Sequence, residues 1–479
     1  MKMNKIFQVV LLLFVAIISV KAQLQQANTM YYMDRVVQSG SMNPAKQYPC
    51  KFFIGAPGLA PVQITVSHSG ATVNDAFYYV DEIDSTVNFL HPKYGDEAGF
   101  LKAFQKVNFV SSEISYSLLS MGFRANRYYL TFDIQDRYIQ NFSYPSDIMT
   151  LALDGNKQDQ LFELNGFNYD FTAYREAAFG VSEQINDQWT FGARLKILFG
   201  LASVRSDINM LEIQTGLDKW SVPSGLQLNA SIPTAQVYVN DNGQIDSLTN
   251  TLSELSDEDM IKYATNFNNM GGALDFGGYF RPNEKWEFSA SLIDLGSIMW
   301  KSNPINLTQQ SEFSFNGLNM SKPDSIDTDE FQSMVDSIKF NVTNNYFSTP
   351  LNTKFYLGAR YNLTDKFSLG FLTRQMVQRG RLRPQFSWSA NINDKFISAS
   401  FSYSIMNNSY NNFGLGLNFK VGPFNMYFMS DNVPLQYSHY SDDESSYLIP
   451  YRFKTLNFRL GLNLIFGCKD ISRDKPITY

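Results

Sequence analysis

The feature that most constrains the fold of this chain is an alternation of apolar and polar residues that persists over long segments. It is clearest in FISASFSYSIM, residues 396–406, where every second residue from Ser398 to Ser404 is a serine. The same alternation recurs at 189–199, 355–363, 412–421 and 455–464. Because successive side chains of a strand point to opposite faces, each segment predicts a strand with one apolar and one polar face.

The apolar face of such a strand can pack on the core of a soluble sandwich or contact the lipid of a membrane barrel. The length of the segments favours lipid, because a tilted strand needs about 9–11 residues to cross a bilayer. Strands of soluble proteins average about 5–6 residues. Composition fits a barrel and a large extracellular all-β protein about equally: aromatic residues make up 15% of the chain, while the hydrophobic content is an ordinary 44%.

The number and spacing of the segments predict the architecture. We expect strands near 62–69, 106–121, 127–142, 170–184, 188–205, 271–281, 286–300, 350–363, 366–377, 382–392, 395–406, 411–421, 423–430 and 452–467. The connections at one end are all short, and every long connection falls at the other end: 70–105, 143–169, 206–270, 301–349 and 431–451. Short periplasmic turns and long extracellular loops are typical of outer-membrane barrels. The sequence therefore predicts an all-β fold, a transmembrane outer-membrane β-barrel of about fourteen antiparallel strands over residues 62–467.

The N-terminal residues indicate export. Residues 1–22 combine the basic start MKMNK with the apolar run IFQVVLLLFVAII and the small-residue site Val20-Lys21-Ala22, as a cleaved signal peptide does. We expect the protein in the outer membrane of a Gram-negative cell, with the membrane lipids as partners and residues 468–479 as a periplasmic C-terminal tail. The net charge of −6 argues against nucleic acid as a partner.

A resemblance adds to these inferences. The segment Asn43-Pro44-Ala45 and the runs IGAPGL and SGATVND resemble an uncharacterised family of outer-membrane β-barrels from Bacteroidetes, known as a domain of unknown function. The likeness continues to FRLGLNLIFGCKD near the C-terminal end and covers essentially the whole mature chain. The Asn43-Pro44-Ala45 segment is also similar to the FadL-like long-chain fatty-acid transporter superfamily, whose barrels have fourteen strands and an N-terminal plug.

The resemblance implies that residues 23–61 form an N-terminal plug, or hatch, with Asn43, Pro44 and Ala45 as its motif. Cys50 would then lie in the plug and Cys468 just past the last strand, both at the periplasmic end and in an oxidising compartment. We expect a disulfide between them that ties the plug to the barrel wall. The alternative is two unrelated thiols.

If the apolar faces contact lipid, the polar faces point into the lumen. The lumen-facing candidates are Ser398, Ser400, Ser402, Ser404, Arg194, Lys196, Arg360, Arg374, Lys420 and Arg459. The basic residues allow two interpretations: a lumen that attracts anions, such as fatty-acid carboxylates or acidic sugars, or a network of salt bridges that holds the plug to the wall. The serines are expected to face a wet interior.

Enzymatic chemistry has little support in the sequence. His68, His91 and His439 are not at metal-ligand spacing, and no GxSxG, HExxH or phosphate-binding loop occurs, so we expect no catalytic residue, metal or cofactor. The favoured function is a FadL-like plugged transporter or porin for a small hydrophobic or anionic solute. The alternative is a non-transporting accessory or scaffold barrel of a secretion or surface-display complex, with a protein partner. An outer-membrane hydrolase is a third and weaker interpretation.

Overall fold

The computed structural model describes residues 28–468 except for 56–60, 156–158, 217–219, 234, 241–244, 251–266, 316–338, 407–408 and 443–444. The described chain forms a closed barrel of fourteen antiparallel strands, and the N-terminal segment occupies its lumen. The expected fold class is thus confirmed. The predicted signal peptide and the tail after Cys468 lie outside the described residues.

Each wall strand pairs with the next along the chain, and the last pairs with the first. The first position, β1, holds two segments, Cys50–Gly55 and Val62–His68. The following strands are β2 (Val107–Ala125), β3 (Tyr128–Pro145), β4 (Asn168–Gln184), β5 (Trp189–Gln214), β6 (Met270–Phe280) and β7 (Trp286–Trp300). The remaining strands are β8 (Lys354–Asn362), β9 (Phe367–Gln378), β10 (Arg381–Asn393), β11 (Ile397–Met406), β12 (Ser409–Val421), β13 (Phe424–Ser430) and β14 (Thr455–Cys468).

The start of the wall differs from the prediction. Cys50–Gly55 pair with both β14 and β2, so the wall begins at Cys50 and not at residue 62. Val62–His68 continue the same position between the same two neighbours. A disulfide joins Cys50 to Cys468. It therefore links the first and last wall strands and not, as expected, the plug and the wall.

Several strands rise above the wall at the end with the long loops. β5 has 26 residues, far more than the roughly 9–11 that cross a bilayer. Its distal half pairs with Trp220–Ser231, which pairs in turn with Pro304–Phe315. Parts of the predicted loops 206–270 and 301–349 therefore form an extracellular sheet.

Shorter elements complete the described chain. The additional strands are Phe77–Val80, Ser85–Asn88, Leu161–Glu163, Ala235–Val239, Ile245–Asn250, Asn341–Thr343, Phe347–Pro350, Tyr437–Asp442 and Ser445–Pro450. The α-helices are Val73–Ala76, Glu97–Lys102 and Asp147–Asp154, and the 3₁₀ helices are Asn28–Met30, Val37–Ser41 and Asp81–Ile83. None of the helices in the described ranges is long and apolar enough to cross a membrane.

The short turns have a common side-chain design. In the turn before β5, the Asn186 carboxamide oxygen accepts hydrogen bonds from the backbone N–H groups of Gln188 and Trp189. Asn283 does the same before β7, and the hydroxyl oxygen of Thr364 does so before β9. Such side-chain bonds replace backbone bonds that a tight turn leaves unmade. They also place an aromatic residue at the mouth of the next strand.

The two faces of the strands are assigned by exposure. On β11, Ile397 and Phe401 are 49% and 51% exposed, whereas Ser398 and Ser402 are 0% and 1% exposed. The apolar residues therefore point outward, where a charged side chain would cost about 2–4 kcal/mol at the bilayer midplane. The serines point inward, but they are buried and do not face the wet interior that we expected.

Candidate functional site

The lumen is the candidate functional site, and its lower part is filled by the plug, residues 28–49. Apolar plug side chains pack on inward-pointing side chains of the wall and exclude water. This cluster comprises Met30, Tyr31, Tyr32, Met33, Val36 and Met42 of the plug with Ile293, Tyr356, Leu372, Tyr427 and Met429 of the wall. All of them are buried.

The Asn43-Pro44-Ala45 motif lies against two glycines of the wall. The Asn43 carboxamide oxygen accepts a hydrogen bond from the Ala45 N–H (3.0 Å), which closes a turn, and its Nδ2 donates to the Ala290 carbonyl (3.3 Å). A Cβ added at Gly277 would lie 2.1 Å from the Asn43 oxygen, and one at Gly192 would lie 2.3 Å from the Pro44 carbonyl oxygen. The motif can therefore approach β5 and β6 because both strands carry glycine there.

A carboxylate holds the start of the plug. Asp431, which follows β13 and is fully buried, accepts hydrogen bonds from the backbone N–H groups of Asn28 and Thr29 (both 2.8 Å). The Thr29 hydroxyl also bonds to Asp431 and lies 2.7 Å from the Ser402 hydroxyl. Ser402, predicted from strand parity to face the lumen, thus contacts the plug directly.

Ion pairs also connect the plug to the wall. Arg360 of β8 donates to the carboxylate of Asp34 in the plug (2.7 Å) and to Glu287 of β7 (2.6 Å). Lys46 of the plug lies 3.4 Å from the same Asp34 carboxylate. Arg360 therefore bridges plug and wall, as the salt-bridge interpretation of the lumen charges requires.

A bulge in β7 brings one unexpected carboxylate into the lumen. The pairing of β6 with β7 shifts register between Leu274 and Phe276, so that Ile293 and Asp294 both point inward. Asp294 has a positive φ of 62°, and its N–H donates to the Asp275 carboxylate (2.7 Å). Strict alternation from Trp286 would have placed Asp294 against lipid. A charge at an apolar position was the sequence signal for this bulge.

Above the plug, buried charges form an ionic layer across the lumen. It comprises Glu113, Glu176, Asp275 and Asp294 with Arg137, Arg194, Lys196 and Lys354. Asp294 is central: Lys354 lies 2.7 Å and Arg137 3.3 Å from its carboxylate, and Lys196 also donates to it. Carboxylates and cations are equal in number, so the layer is charge-balanced and not simply basic.

An apolar layer lies beyond the ionic layer, two residues farther along β3, β4, β5 and β6 and toward the end of β7. Its members are Ile139, Tyr174, Leu198, Ala273, Ile298, Trp300, Leu351 and Met376, with Phe347 packed against them. Trp300 and Leu198 are fully buried. The described residues therefore fill the lumen with three successive layers of different chemistry: apolar, ionic and plug.

The extracellular mouth is a cavity of about 800 Å³ with polar and charged walls. Arg379, in the turn between β9 and β10, reaches across it to Asp170 (2.5 and 2.7 Å), Asp207 (2.7 Å) and the Asn168 carboxamide oxygen (3.0 Å). We call these four residues the mouth clamp. Burial opposes the charge of Arg379, but the bonds to Asp170 and the nearby Asp207 outweigh it and raise the pKa of Arg379.

The structure brings some of the predicted lumen residues together and leaves others apart. Arg194 and Lys196 belong to the ionic layer, Arg374 donates to Gln385 (3.0 Å), and Arg459 lines a small cavity between plug and wall. Lys420 is half-buried near the short-turn end. The carboxylates of the ionic layer and the mouth clamp escaped prediction, since their partners lie on strands distant in sequence. The histidines do not converge, and the described residues contain no group of side chains suited to a metal.

Comparisons with solved structures find a FadL homologue and two toluene transporters at low similarity. A FadL homologue of Pseudomonas aeruginosa has a TM-score of 0.42 and 10% identity, over 94% of this chain and 100% of that one. The toluene transporter TbuX of Ralstonia pickettii has a TM-score of 0.41 and 7% identity, over 91% of this chain and 100% of that one. The toluene transporter TodX of P. putida has a TM-score of 0.37 and 7% identity, over 90% of this chain and 94% of that one. At these values the likeness says nothing about the solute.

Sequence comparison places the chain in a family. No curated protein matches it. The profile of a family of unknown function, DUF5723, matches residues 44–431, from the plug motif to the carboxylate that holds the start of the plug. This stretch is most of the chain, and the expected membership of an uncharacterised family is confirmed. The protein therefore belongs to the DUF5723 family of unknown function.

Proposed function

We propose that the protein is a gated outer-membrane transporter for a small hydrophobic or anionic solute, exported by a signal peptide at residues 1–22. The observation that carries the proposal is the cavity of about 800 Å³ at the mouth, which the mouth clamp lines and which opens above a lumen filled by the protein's own N-terminal segment. The described lining of the cavity has four cationic side chains (Lys106, Arg205, Arg379 and Arg383) against three carboxylates (Glu163, Asp170 and Asp207), and this small positive excess suits an anion. Release into the periplasm requires the plug to move.

Polar contacts join the plug to the wall at defined pairs of side chains, which makes such movement testable. Thr29 and Ser402 have their hydroxyl oxygens 2.7 Å apart, so cysteines at both positions can be cross-linked. The double variant Thr29→Cys/Ser402→Cys is placed in a background with Cys50→Ser and Cys468→Ser. Entry of benzoate and octanoate into proteoliposomes is then measured before and after oxidation.

Transport through a moving plug predicts that oxidation blocks entry and that reduction restores it. The single variant Thr29→Cys, treated identically, should be unaffected. Entry that is the same in the oxidised and reduced double variant would contradict the proposal. N-terminal sequencing of the mature protein, expected to begin at Gln23, tests the signal peptide.

A second candidate function follows from the closed lumen. An accessory barrel of a secretion or surface-display complex needs no open path, and the three buried layers are compatible with that role. This role predicts a protein that co-purifies from native membranes in stoichiometric amounts, together with no solute entry in any plug variant. The locked and unlocked variants therefore separate the two functions.

A further inference from the structure

A second concave site lies on the extracellular side, outside the barrel lumen. It runs between two hairpins, Phe77–Val80 with Ser85–Asn88 and Tyr437–Asp442 with Ser445–Pro450. It encloses about 800 Å³, within the range of roughly 300–1,000 Å³ that small-molecule sites occupy. We call it the outer groove. Its principal lining residues are Phe77, Tyr78, Tyr79, Tyr440, Tyr451 and Arg452.

The outer groove is held open by side chains from distant parts of the sequence. Asn74 donates through Nδ2 to the Ser438 hydroxyl (2.6 Å), and its Oδ1 accepts from the Arg452 N–H (2.7 Å). Phe77 and Tyr440 pack edge to face across the two hairpins, with ring centroids 6.0 Å apart. These contacts fix both walls of the groove before any ligand binds, which lowers the entropic cost of binding.

Two of the tyrosines are anchored by their hydroxyl groups. The Tyr78 hydroxyl donates to the Tyr94 carbonyl (2.7 Å), and the Tyr79 hydroxyl donates to the Asp84 carboxylate. Such anchoring orients the rings as rigid platforms. Tyr79 and Tyr451 remain 39% and 38% exposed. Rigid aromatic rings that stay accessible to water favour a ligand with flat C–H faces over one that must be fully enclosed.

The charged side chain of the groove restricts the chemical class of its ligand further. Among its described lining residues, Arg452 is the one charged side chain, and no carboxylate lines the groove. The Arg452 guanidinium lies 5.4 Å from the centre of the Tyr451 ring, so a cation and an aromatic face stand side by side. This arrangement contrasts with the net charge of −6 of the whole chain. The Asp84 carboxylate is bound by the Tyr79 hydroxyl, whereas a purely aliphatic ligand would leave the Arg452 guanidinium unused.

We propose that the outer groove binds an acidic oligosaccharide from the medium, a chain of pyranose rings that carry carboxylates. The C–H face of a pyranose ring packs on a tyrosine ring, and its carboxylate accepts the paired N–H groups of Arg452 in a bidentate contact. The ligand chemistry thus matches the two features that the groove places next to each other.

The test uses the purified full-length protein in a zwitterionic detergent that contains no sugar. The probes are tri-galacturonate and its methyl ester, which keeps the rings but removes the charge, and calorimetry and saturation-transfer NMR measure binding. Arg452→Gln should weaken binding of the acid about tenfold or more, since a charged hydrogen bond is lost, and leave binding of the ester unchanged. Tyr451→Ala should weaken both ligands, and Tyr451→Phe should bind both as the wild type does.

Matched controls lie outside the groove. Tyr346→Ala, at a position 67% exposed, and Arg127→Gln, in a turn at the opposite end of the barrel, should leave both affinities unchanged. The proposal is overturned if tri-galacturonate does not bind, if the ester binds as tightly as the acid, or if Arg452→Gln has no effect. Binding of purified lipopolysaccharide without binding of tri-galacturonate would likewise overturn it, because the source of the sugar would then be the membrane.

Discussion

Arg379 and Asp170 form a two-bond ion pair across the mouth of the barrel, although 209 residues separate them in the sequence. Arg379 has a positive φ of 48° and lies in the short turn between β9 and β10, while Asp170 lies on β4. The pair therefore joins opposite sides of the wall. Both residues line the mouth cavity, and we expect the pair to control access from this cavity to the apolar layer.

Loss of the mouth clamp should expose the lumen to water-soluble reagents. Met376 lies in the apolar layer and is 3% exposed, so Met376→Cys, in a background without the native cysteines, should react slowly with a polar maleimide. Adding Arg379→Ala removes several charge-assisted bonds and should raise the labelling rate about tenfold or more. The matched control is Arg383→Ala, since Arg383 lines the same cavity but stacks over Phe109. Equal rates in both variants would contradict a gating role for Arg379.

Asp294 should be essential for the stability of the ionic layer. Asp294→Asn leaves Lys196, Lys354 and Arg137 without their shared carboxylate, and an uncompensated buried charge costs about 3–5 kcal/mol. We expect the variant to unfold at a lower urea concentration. Unfolding is monitored by the loss of heat-modifiable migration on gels. Asp187→Asn, in an exposed turn, is the control and should unfold like the wild type. An unchanged midpoint for Asp294→Asn would show that the layer does not depend on this residue.

The glycines opposite the plug motif should not tolerate a methyl group. In Gly192→Ala the new Cβ would lie 2.3 Å from the Pro44 carbonyl oxygen, so the motif must move. Ser291, whose hydroxyl donates to the Met42 carbonyl (2.6 Å), is buried beside the motif. Ser291→Cys should therefore react faster with maleimide in the Gly192→Ala variant.

A second glycine provides the matched control for this experiment. At Gly272 the nearest atom to a new Cβ lies 3.8 Å away, an ordinary contact. Gly272→Ala should consequently leave the reactivity of Ser291→Cys unchanged. If both alanine variants behaved alike, the close approach of plug and wall would not be what holds the motif in place.

The disulfide should stabilise the closure of the barrel. Cys50 and Cys468 join the first and last strands and close a loop with a sequence separation of 418 residues. Alkylation without reductant should modify neither thiol, as intact mass will show. Reduction should lower the free energy of unfolding by about 2–4 kcal/mol. The double variant Cys50→Ser/Cys468→Ser should match the reduced protein and no longer respond to reductant; modification of both thiols before reduction would disprove the bond.

The inward serines lead to a prediction that differs from the one the sequence alone supports. From parity, Ser402→Cys would react readily with water-soluble reagents, but Ser402 is 1% exposed beneath Thr29. We therefore expect slow labelling in the intact protein and fast labelling after deletion of residues 28–47. Phe401→Cys, whose side chain points outward, should respond little to the deletion. Fast labelling of Ser402→Cys in the intact protein would argue against a resident plug.

Alternation and turn residues are enough to predict most wall strands, their inward and outward faces, and the end at which the long loops lie. Those properties are local: a period of two assigns Ser402 and Phe401 to opposite faces, and a turn residue such as Asn186 ends a hairpin through bonds to its own neighbours. These properties can therefore be predicted without knowledge of any distant contact. The Asn43-Pro44-Ala45 motif was also visible, although the glycines that accept it were not.

The filling of the lumen depends on contacts between distant segments, which no local pattern reveals. The partners of Arg379, Arg360 and Lys196 lie on other strands or in the plug, and an alternating pattern says which face a charge occupies but not what lies opposite it. The bulge at Asp294 shifts the alternation within one strand, and the wall begins at Cys50 because the first and last strands meet there. Closing a barrel brings distant residues together across its axis, and that geometry is a property of the whole sheet and not of any single segment.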